Sequence, residues 1–145
     1  MVIRSRNFHE KNKLVRVIVI TFLFFNGISA LFGGCMLITD PSGEIMQMPL
    51  DMLKNSPFSD FLIPGIILFA LNGVSSILIA VLSILKVKFY PYCIILQGGI
   101  LILWLTIQII MIRMFSPPFH IPYYFVGVIL MVLGIMMLRK NTIHQ

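Results

Sequence analysis

Long apolar runs alternate with short polar links along this chain. Four runs are nearly free of charged residues: Val15–Ile38, Phe61–Leu85, Cys93–Ile112 and Tyr123–Leu138. A helix needs about 20 apolar residues to cross a hydrocarbon core about 30 Å thick, and the first three runs reach that length. The fourth run is shorter, but thinning of the bilayer or snorkelling of flanking residues absorbs such a shortfall. The pattern therefore predicts four transmembrane helices.

The composition leaves little of the chain outside these helices. Of 145 residues, 59% are hydrophobic and 11% are charged, whereas soluble domains average about 25% charged residues. Inside lipid the backbone polar groups must be paired within the protein, which favours helices. We therefore expect an all-α fold in which residues 1–145 form one domain, an integral membrane four-helix bundle with both termini on the same side.

Most basic residues fall on one side of this topology. Nine of the eleven lie before the first run, between the second and third, or after the fourth: Arg4, Arg6, Lys11, Lys13, Arg16, Lys86, Lys88, Arg139 and Lys140. Four of the five acids share the opposite side with the other two bases: Asp40, Glu44, Asp51, Asp60, Lys54 and Arg113. Because cytoplasmic links carry the excess of Lys and Arg, the predicted orientation is N-in/C-in. Topology and anionic lipid then account for the net charge of +6 without binding to nucleic acid.

The polar residues of the runs disfavour several enzyme and transporter classes. Quinone-linked disulfide enzymes use a Cys-x-x-Cys pair, whereas Cys35 and Cys93 are predicted near opposite membrane faces, too far apart for a bridge. Proton-coupled drug exporters need a membrane-embedded carboxylate, and no Asp, Glu, Lys, Arg or His lies in the middle of a run. A hydrolase would need a His placed to activate a buried Ser or Cys, and none of the four apolar runs contains a His. We expect a protein that is not an enzyme and uses no cofactor.

Uncharged polar and small residues in the runs recur at the spacing of one helix face. The sets are Gln97, Leu101, Trp104 and Gln108 in the third run, Gly65, Asn72, Ser76 and Ser83 in the second, and Asn26, Ala30 and Gly33 in the first. Two glycine pairs are spaced seven residues apart: Gly27 with Gly34, and Gly127 with Gly134. Small residues let helices approach closely and amides bond across the interface. These faces predict the helix contacts.

The polar faces admit two interpretations. Asn26, Asn72 and Trp104 lie near the centres of their runs, so we expect them in one layer where an Asn oxygen accepts the indole N–H of Trp104. In the first interpretation these groups hold the bundle together. In the second they form a ligand-binding or transport pocket that opens toward an outer ion pair. The pocket residues would be Asn26, Asn72, Trp104 and Gln108, and the outer pair Asp60 and Arg113.

The outer loop, residues 39–60, offers a second candidate site. Thioethers are soft ligands that select Cu(I), so Met46, Met48 and Met52 could bind copper together with His120 from the last outer link. The alternative is that these methionines fill apolar gaps, and we expect no metal.

Prolines predict the local structure of both outer links. Pro49 can occupy the first turn of a short helix that lays Leu50 and Leu53 on the membrane surface. Three prolines stiffen Ser116–Pro122, which is predicted to be a link between helices rather than part of one.

Two segments resemble a group of small uncharacterised bacterial membrane proteins. They are Ser56–Gly73, SPFSDFLIPGIILFALNG, and Trp104–Gln108, WLTIQ. In that group an outer Pro-Phe-x-Asp-(Tyr/Phe)-Leu-Ile-Pro-Gly stretch opens the second helix and Trp-x-x-x-Gln follows in the third. The resemblance extends from about Ser56 to the C-terminus. It implies a four-helix fold in the bacterial inner membrane and transfers no catalytic residues, since the group has no established activity.

The expected function is that of a non-enzymatic accessory or structural component of the cell envelope. Its expected partners are membrane lipids and either further copies of the chain or another membrane protein. The alternative is the ligand-binding or transport protein with a mid-membrane polar pocket.

Overall fold

Four long helices make up most of the chain. A computed structural model describes the backbone of residues 2–143 and the side chains of residues 13–139. The helices are α1 (Val2–Thr39), α2 (Leu62–Ile84), α3 (Tyr90–Ile112) and α4 (Pro117–Ile143), and a 3₁₀ turn at Leu50–Leu53 lies in the outer loop. Each contains a segment long and apolar enough to cross a membrane. The predicted four-helix bundle is confirmed.

Three helices, α1, α3 and α4, begin earlier than their apolar runs. The helix α1 is 38 residues long and starts at Val2, although its membrane-spanning segment is Lys13–Thr39. The helix α3 starts at Tyr90 rather than Cys93, with Pro91 in its first turn, where the missing N–H of proline has no helical partner to lose.

The prediction that Ser116–Pro122 is a link is wrong. The helix α4 begins at Pro117, and the His120 N–H donates to the Ser116 carbonyl at 2.9 Å. Pro117 and Pro118 occupy first-turn positions that tolerate proline. Pro122 lies one turn farther in, where it removes only the hydrogen bond to the Pro118 carbonyl. The outer connection between α3 and α4 is correspondingly short.

Glycines bring the helices together as two tight hairpins, α1 with α2 and α3 with α4. A Cβ atom on Gly34 would lie 2.7 Å from the backbone nitrogen of Phe69 in α2. One on Gly98 would lie 2.6 Å from the carbonyl oxygen of Gly127 in α4. The backbones approach this closely because these residues carry no side chain. The predicted use of glycines at helix contacts is confirmed.

The two hairpins meet along a less extensive seam, where α2 contacts α3 and α1 contacts α4. Phe25 of α1 stacks on Tyr123 of α4 with ring centroids 5.7 Å apart. One apolar core joins all four helices: Val19, Leu23, Ile79, Ala80, Ile94, Leu101, Leu105, Val126, Leu130 and Met137.

The helix α2 changes its hydrogen-bond pattern in the middle. Regular α-helix at Leu62–Ile67 and Ser75–Ile84 flanks a π-helical segment at Leu68–Val74. The Ser75 N–H donates to the Ala70 carbonyl, five residues earlier, instead of the usual four. Such a shift widens the helix and leaves a backbone carbonyl without its ordinary helical donor. The apolar run Phe61–Leu85 predicted a helix here but not its π segment.

The outer loop begins with a hydrogen-bonded turn. The Asp40 carboxylate accepts hydrogen bonds from the backbone N–H of Ile45 at 2.8 Å and of Ser42 at 3.2 Å, and from the Ser42 hydroxyl. The Ile45 N–H, followed by the Ser42 hydroxyl, lowers the pKa of Asp40 below its ordinary value of 3.8. Gly43 adopts φ of 77°, which a residue without a side chain tolerates. The Phe61 N–H donates to the Pro41 carbonyl at 2.9 Å and ties the two ends of the loop together.

A second apolar cluster lies beneath this loop, formed by Leu37, Leu53 and Phe61. Pro49 precedes the short 3₁₀ turn, as its position predicted. Leu50 is exposed but Leu53 is buried, so the prediction that both leucines lie on the membrane surface is wrong for Leu53. Burial against Leu37 and Phe61 turns Leu53 inward.

Candidate functional site

An amide of α1 contacts the π segment of α2 near mid-membrane. The side chain of Asn26 is 1% exposed. Its Nδ2 donates to the Ser76 hydroxyl at 2.8 Å and to the backbone carbonyl of Asn72 at 3.4 Å. The predicted meeting of Asn26 and Asn72 is confirmed, but through the backbone of Asn72 rather than its side chain.

An amide of α3 contacts the same segment from the other side. Gln97 is fully buried, and its Nε2 donates to the Leu71 carbonyl at 3.2 Å. The Ser75 hydroxyl has two acceptors for its single proton, Gln97 Oε1 at 2.7 Å and the Leu71 carbonyl. Gln97 thus joins the two hairpins by hydrogen bonds on both of its polar atoms.

These two amides bond to adjacent carbonyls of the π segment, Leu71 and Asn72. A net hydrogen bond contributes about 0.5–1.5 kcal/mol, whereas a buried polar group left without a partner costs about 1–3 kcal/mol. Side-chain hydrogen bonds between membrane helices lie toward the low end of that range, about 0.6 kcal/mol on average. Asn26 and Gln97 therefore make the irregular stretch of α2 compatible with a lipid-buried bundle.

The side chain of Asn72 has no such partners. It is fully buried, and neither Nδ2 nor Oδ1 forms a hydrogen bond with any described residue. The indole N–H of Trp104, a side chain only 9% exposed, is likewise unpaired within residues 13–139.

The predicted hydrogen bond from Trp104 to an Asn oxygen is wrong. Gln97, which lies on the same face of α3 as Trp104, fixes the level at which α3 meets Leu71. Trp104 comes seven residues later and is therefore displaced along the axis by about 10 Å. The indole N–H consequently lies nearer the link between α3 and α4 than the Asn26 contact does.

The remaining predicted site residues, Gln108 of the pocket and the pair Asp60 and Arg113, form no hydrogen bond to the polar layer, defined as Asn26, Ser75, Ser76 and Gln97 with the carbonyls of the π segment. The side-chain amide of Gln108 is half-buried and forms no hydrogen bond with any described residue. Asp60 Oδ1 accepts a hydrogen bond from the Leu62 N–H at 3.0 Å, which forms an Asx turn immediately before α2. Arg113 is exposed and ends α3 with φ of 52°. The expected ion pair between Asp60 and Arg113 is not formed.

The methionines proposed for copper have separate surroundings. Met48 and Met52 pack against the cluster of Leu37, Leu53 and Phe61, which favours the filler alternative, whereas Met46 is exposed. The fourth candidate ligand, His120, lies at the start of α4, where it contacts Phe115, Ser116 and Phe119.

His120 is held by backbone and aromatic contacts. Its Nδ1 lies 3.1 Å from the Ser116 nitrogen and 2.9 Å from the Ser116 oxygen. The ring stacks on Phe115 and meets Phe119 edge-on.

Sequence reasoning missed Ser75 and the π segment that places it. The available signal is the cluster of polar and small residues at Asn72, Gly73, Ser75 and Ser76 inside an otherwise apolar run. The side chains of the layer are amides and hydroxyls, which are neutral at physiological pH and both donate and accept hydrogen bonds. Such a layer can hold helices together or bind a neutral hydrogen-bonding molecule.

Comparison with known proteins returned no match to a protein-family model, to a curated protein or to a solved structure.

Proposed function

We propose that the chain is a non-enzymatic accessory or structural component of the bacterial inner membrane. Its four helices are those of a multi-pass membrane protein. The proposed role is to assemble in the membrane with further copies of itself or with another membrane protein, among bulk lipids.

The observation that carries this proposal is that two amide side chains within the spans form hydrogen bonds between helices. Asn26 bonds α1 to α2, and Gln97 bonds α2 to α3. These amides are engaged in helix contacts, as expected where polar groups stabilise a bundle. The ligand-binding or transport alternative draws less support, because Gln108 forms no hydrogen bond to the layer and the Asp60 carboxylate bonds to the Leu62 N–H at the start of α2.

The proposed orientation places both termini in the cytoplasm. Its support is the excess of basic residues before α1, between α2 and α3, and at the end of α4. The assignment to a bacterial inner membrane rests on the resemblance of Ser56–Gly73 and Trp104–Gln108 to small bacterial membrane proteins.

Mass spectrometry of the native protein, released gently from its own membrane, tests the proposed assembly. We expect a complex heavier than the 16.5 kDa monomer, either a multiple of that mass or a monomer with a second membrane protein. Dilution at constant detergent-to-lipid ratio is the control for chance co-micellisation. A monomer at every dilution would contradict the proposal.

A further inference from the structure

The side-chain amide of Asn72 is the least satisfied polar group of the bundle. It is fully buried, yet both of its polar atoms lack a partner among the described residues. The nearby amides of Asn26 and Gln97 are paired. More than about 90% of buried polar groups in proteins have at least one partner, so an amide with none on either atom requires an explanation.

The neighbouring amide of Asn26 offers Asn72 no partner. Neither Nδ2 nor Oδ1 of Asn72 has a hydrogen-bond partner among the described residues. Asn26 is already engaged with the Ser76 hydroxyl and the Asn72 carbonyl. Repacking these two amides against each other would break the contacts that join α1 to α2.

Asn72 lies in the interior of the bundle. Its own carbonyl is bonded from α1, and the preceding carbonyl, that of Leu71, is bonded from α3. Asn72 thus lies where the two hairpins meet, near the middle of the span Leu62–Ile84. Single π-helical turns within α-helices occur frequently at functional sites.

A second buried polar group is unpaired. The indole N–H of Trp104 has no partner among the described residues. Trp104 follows Gln97 by two helical turns on the same face of α3. The bundle therefore holds one unpaired amide, able to donate and accept, and one further unpaired donor.

We propose that the Asn72 amide binds a small neutral guest that both donates and accepts hydrogen bonds. Water is the smallest member of this class, and an organic amide or alcohol is a larger one. The chain has no charged residue in the middle of its spans to offset an ion, and burying a charge there is costly. The Asn72 side chain thereby has a ligand-binding role, whereas only its backbone carbonyl takes part in the contact between α1 and α2.

Nuclear magnetic resonance on the full chain, selectively labelled with ¹⁵N-asparagine, tests the site. Water is the first probe, and the Asn72 side-chain signal is assigned by its loss in Asn72→Leu. We expect magnetisation transfer from water to the Asn72 amide protons at least several-fold stronger than to those of Asn26, which are bonded to Ser76. Acetamide is the second probe, and a saturable shift of the Asn72 signal would identify an organic guest.

The two probes distinguish the sources, and either positive result supports the site. Absence of both water transfer and an acetamide shift in the wild-type protein would overturn the proposal. An Asn72→Leu variant that then unfolds at a higher temperature would agree with that outcome, because it removes an amide that nothing binds. Where Asn72→Leu fails to fold, the conservative Asn72→Gln variant supplies the assignment, and the wild-type measurement decides the matter.

Discussion

At Gly34 the absence of a side chain decides how closely α1 can approach α2. A Cβ atom there would meet the Cβ, nitrogen and Cα atoms of Phe69 at 2.7–2.8 Å. Most of these are backbone atoms, which move only if the helix moves. Gly99 of α3 is the opposite case, since a Cβ would have no heavy atom within 4 Å.

Gly34→Ala should destabilise the bundle, and Gly99→Ala should not. Overpacking of a tight contact costs about 1–3 kcal/mol, whereas alanine in an open helix position is more favourable than glycine by about 1 kcal/mol. The free energy of unfolding in a detergent titration measures both effects. Equal stability of the two variants would contradict the close approach at Gly34.

Residue-level prediction from the sequence succeeded where spacing alone was sufficient. The seven-residue interval between Gly27 and Gly34 places both on one face, and both are buried against α2. The partner of Trp104 was predicted wrongly, because that contact depends on the relative depth of two helices. Nothing in the local pattern of either run specifies that depth.

At the level of elements, α2 shows how a neighbouring helix changes local structure. Amides from α3 and α1 donate hydrogen bonds to the carbonyls of Leu71 and Asn72 in its π segment. The irregular stretch is therefore stabilised by contacts that α2 makes with two other helices. For that reason the apolar run predicted a helix over the right residues but not its irregular centre.

Gln97→Leu should reduce stability while Gln108→Leu leaves it nearly unchanged. The first substitution removes one donor to the Leu71 carbonyl and one of the two acceptors for the Ser75 hydroxyl, and we expect a loss of about 1 kcal/mol. The second replaces a half-buried amide that has no hydrogen bond within the described part of the chain. Thermal unfolding in lipid nanodiscs compares them. A larger loss in Gln108→Leu would contradict the structural role of Gln97.

Helix ends were the least predictable feature of the elements. The three prolines of Ser116–Pro122 indicated a link, but two of them occupy the first turn of α4. The third, Pro122, removes a single hydrogen bond near the N-terminal start of the helix. Proline content alone does not distinguish a stiff link from a helix start.

At the scale of the whole molecule, two glycine-packed hairpins form one bundle joined by Gln97, an aromatic stack and an apolar core. The apolar runs predicted four spans because lipid admits few alternatives to a helix of this length. The grouping of the spans into hairpins with a looser seam depends on side-chain contacts that periodicity does not report.

Cysteine labelling of the full chain tests the four-span N-in/C-in topology most directly. Cys35 and Cys93 are first replaced by serine, and single cysteines are introduced by Asn55→Cys in the outer loop and Lys88→Cys in the link between α2 and α3. Both positions are exposed. In intact spheroplasts, a membrane-impermeant maleimide should modify the cysteine at position 55 at once and the one at position 88 only after permeabilisation. The reverse order would show the opposite orientation, and equal labelling of both positions from outside would contradict the four-span topology itself.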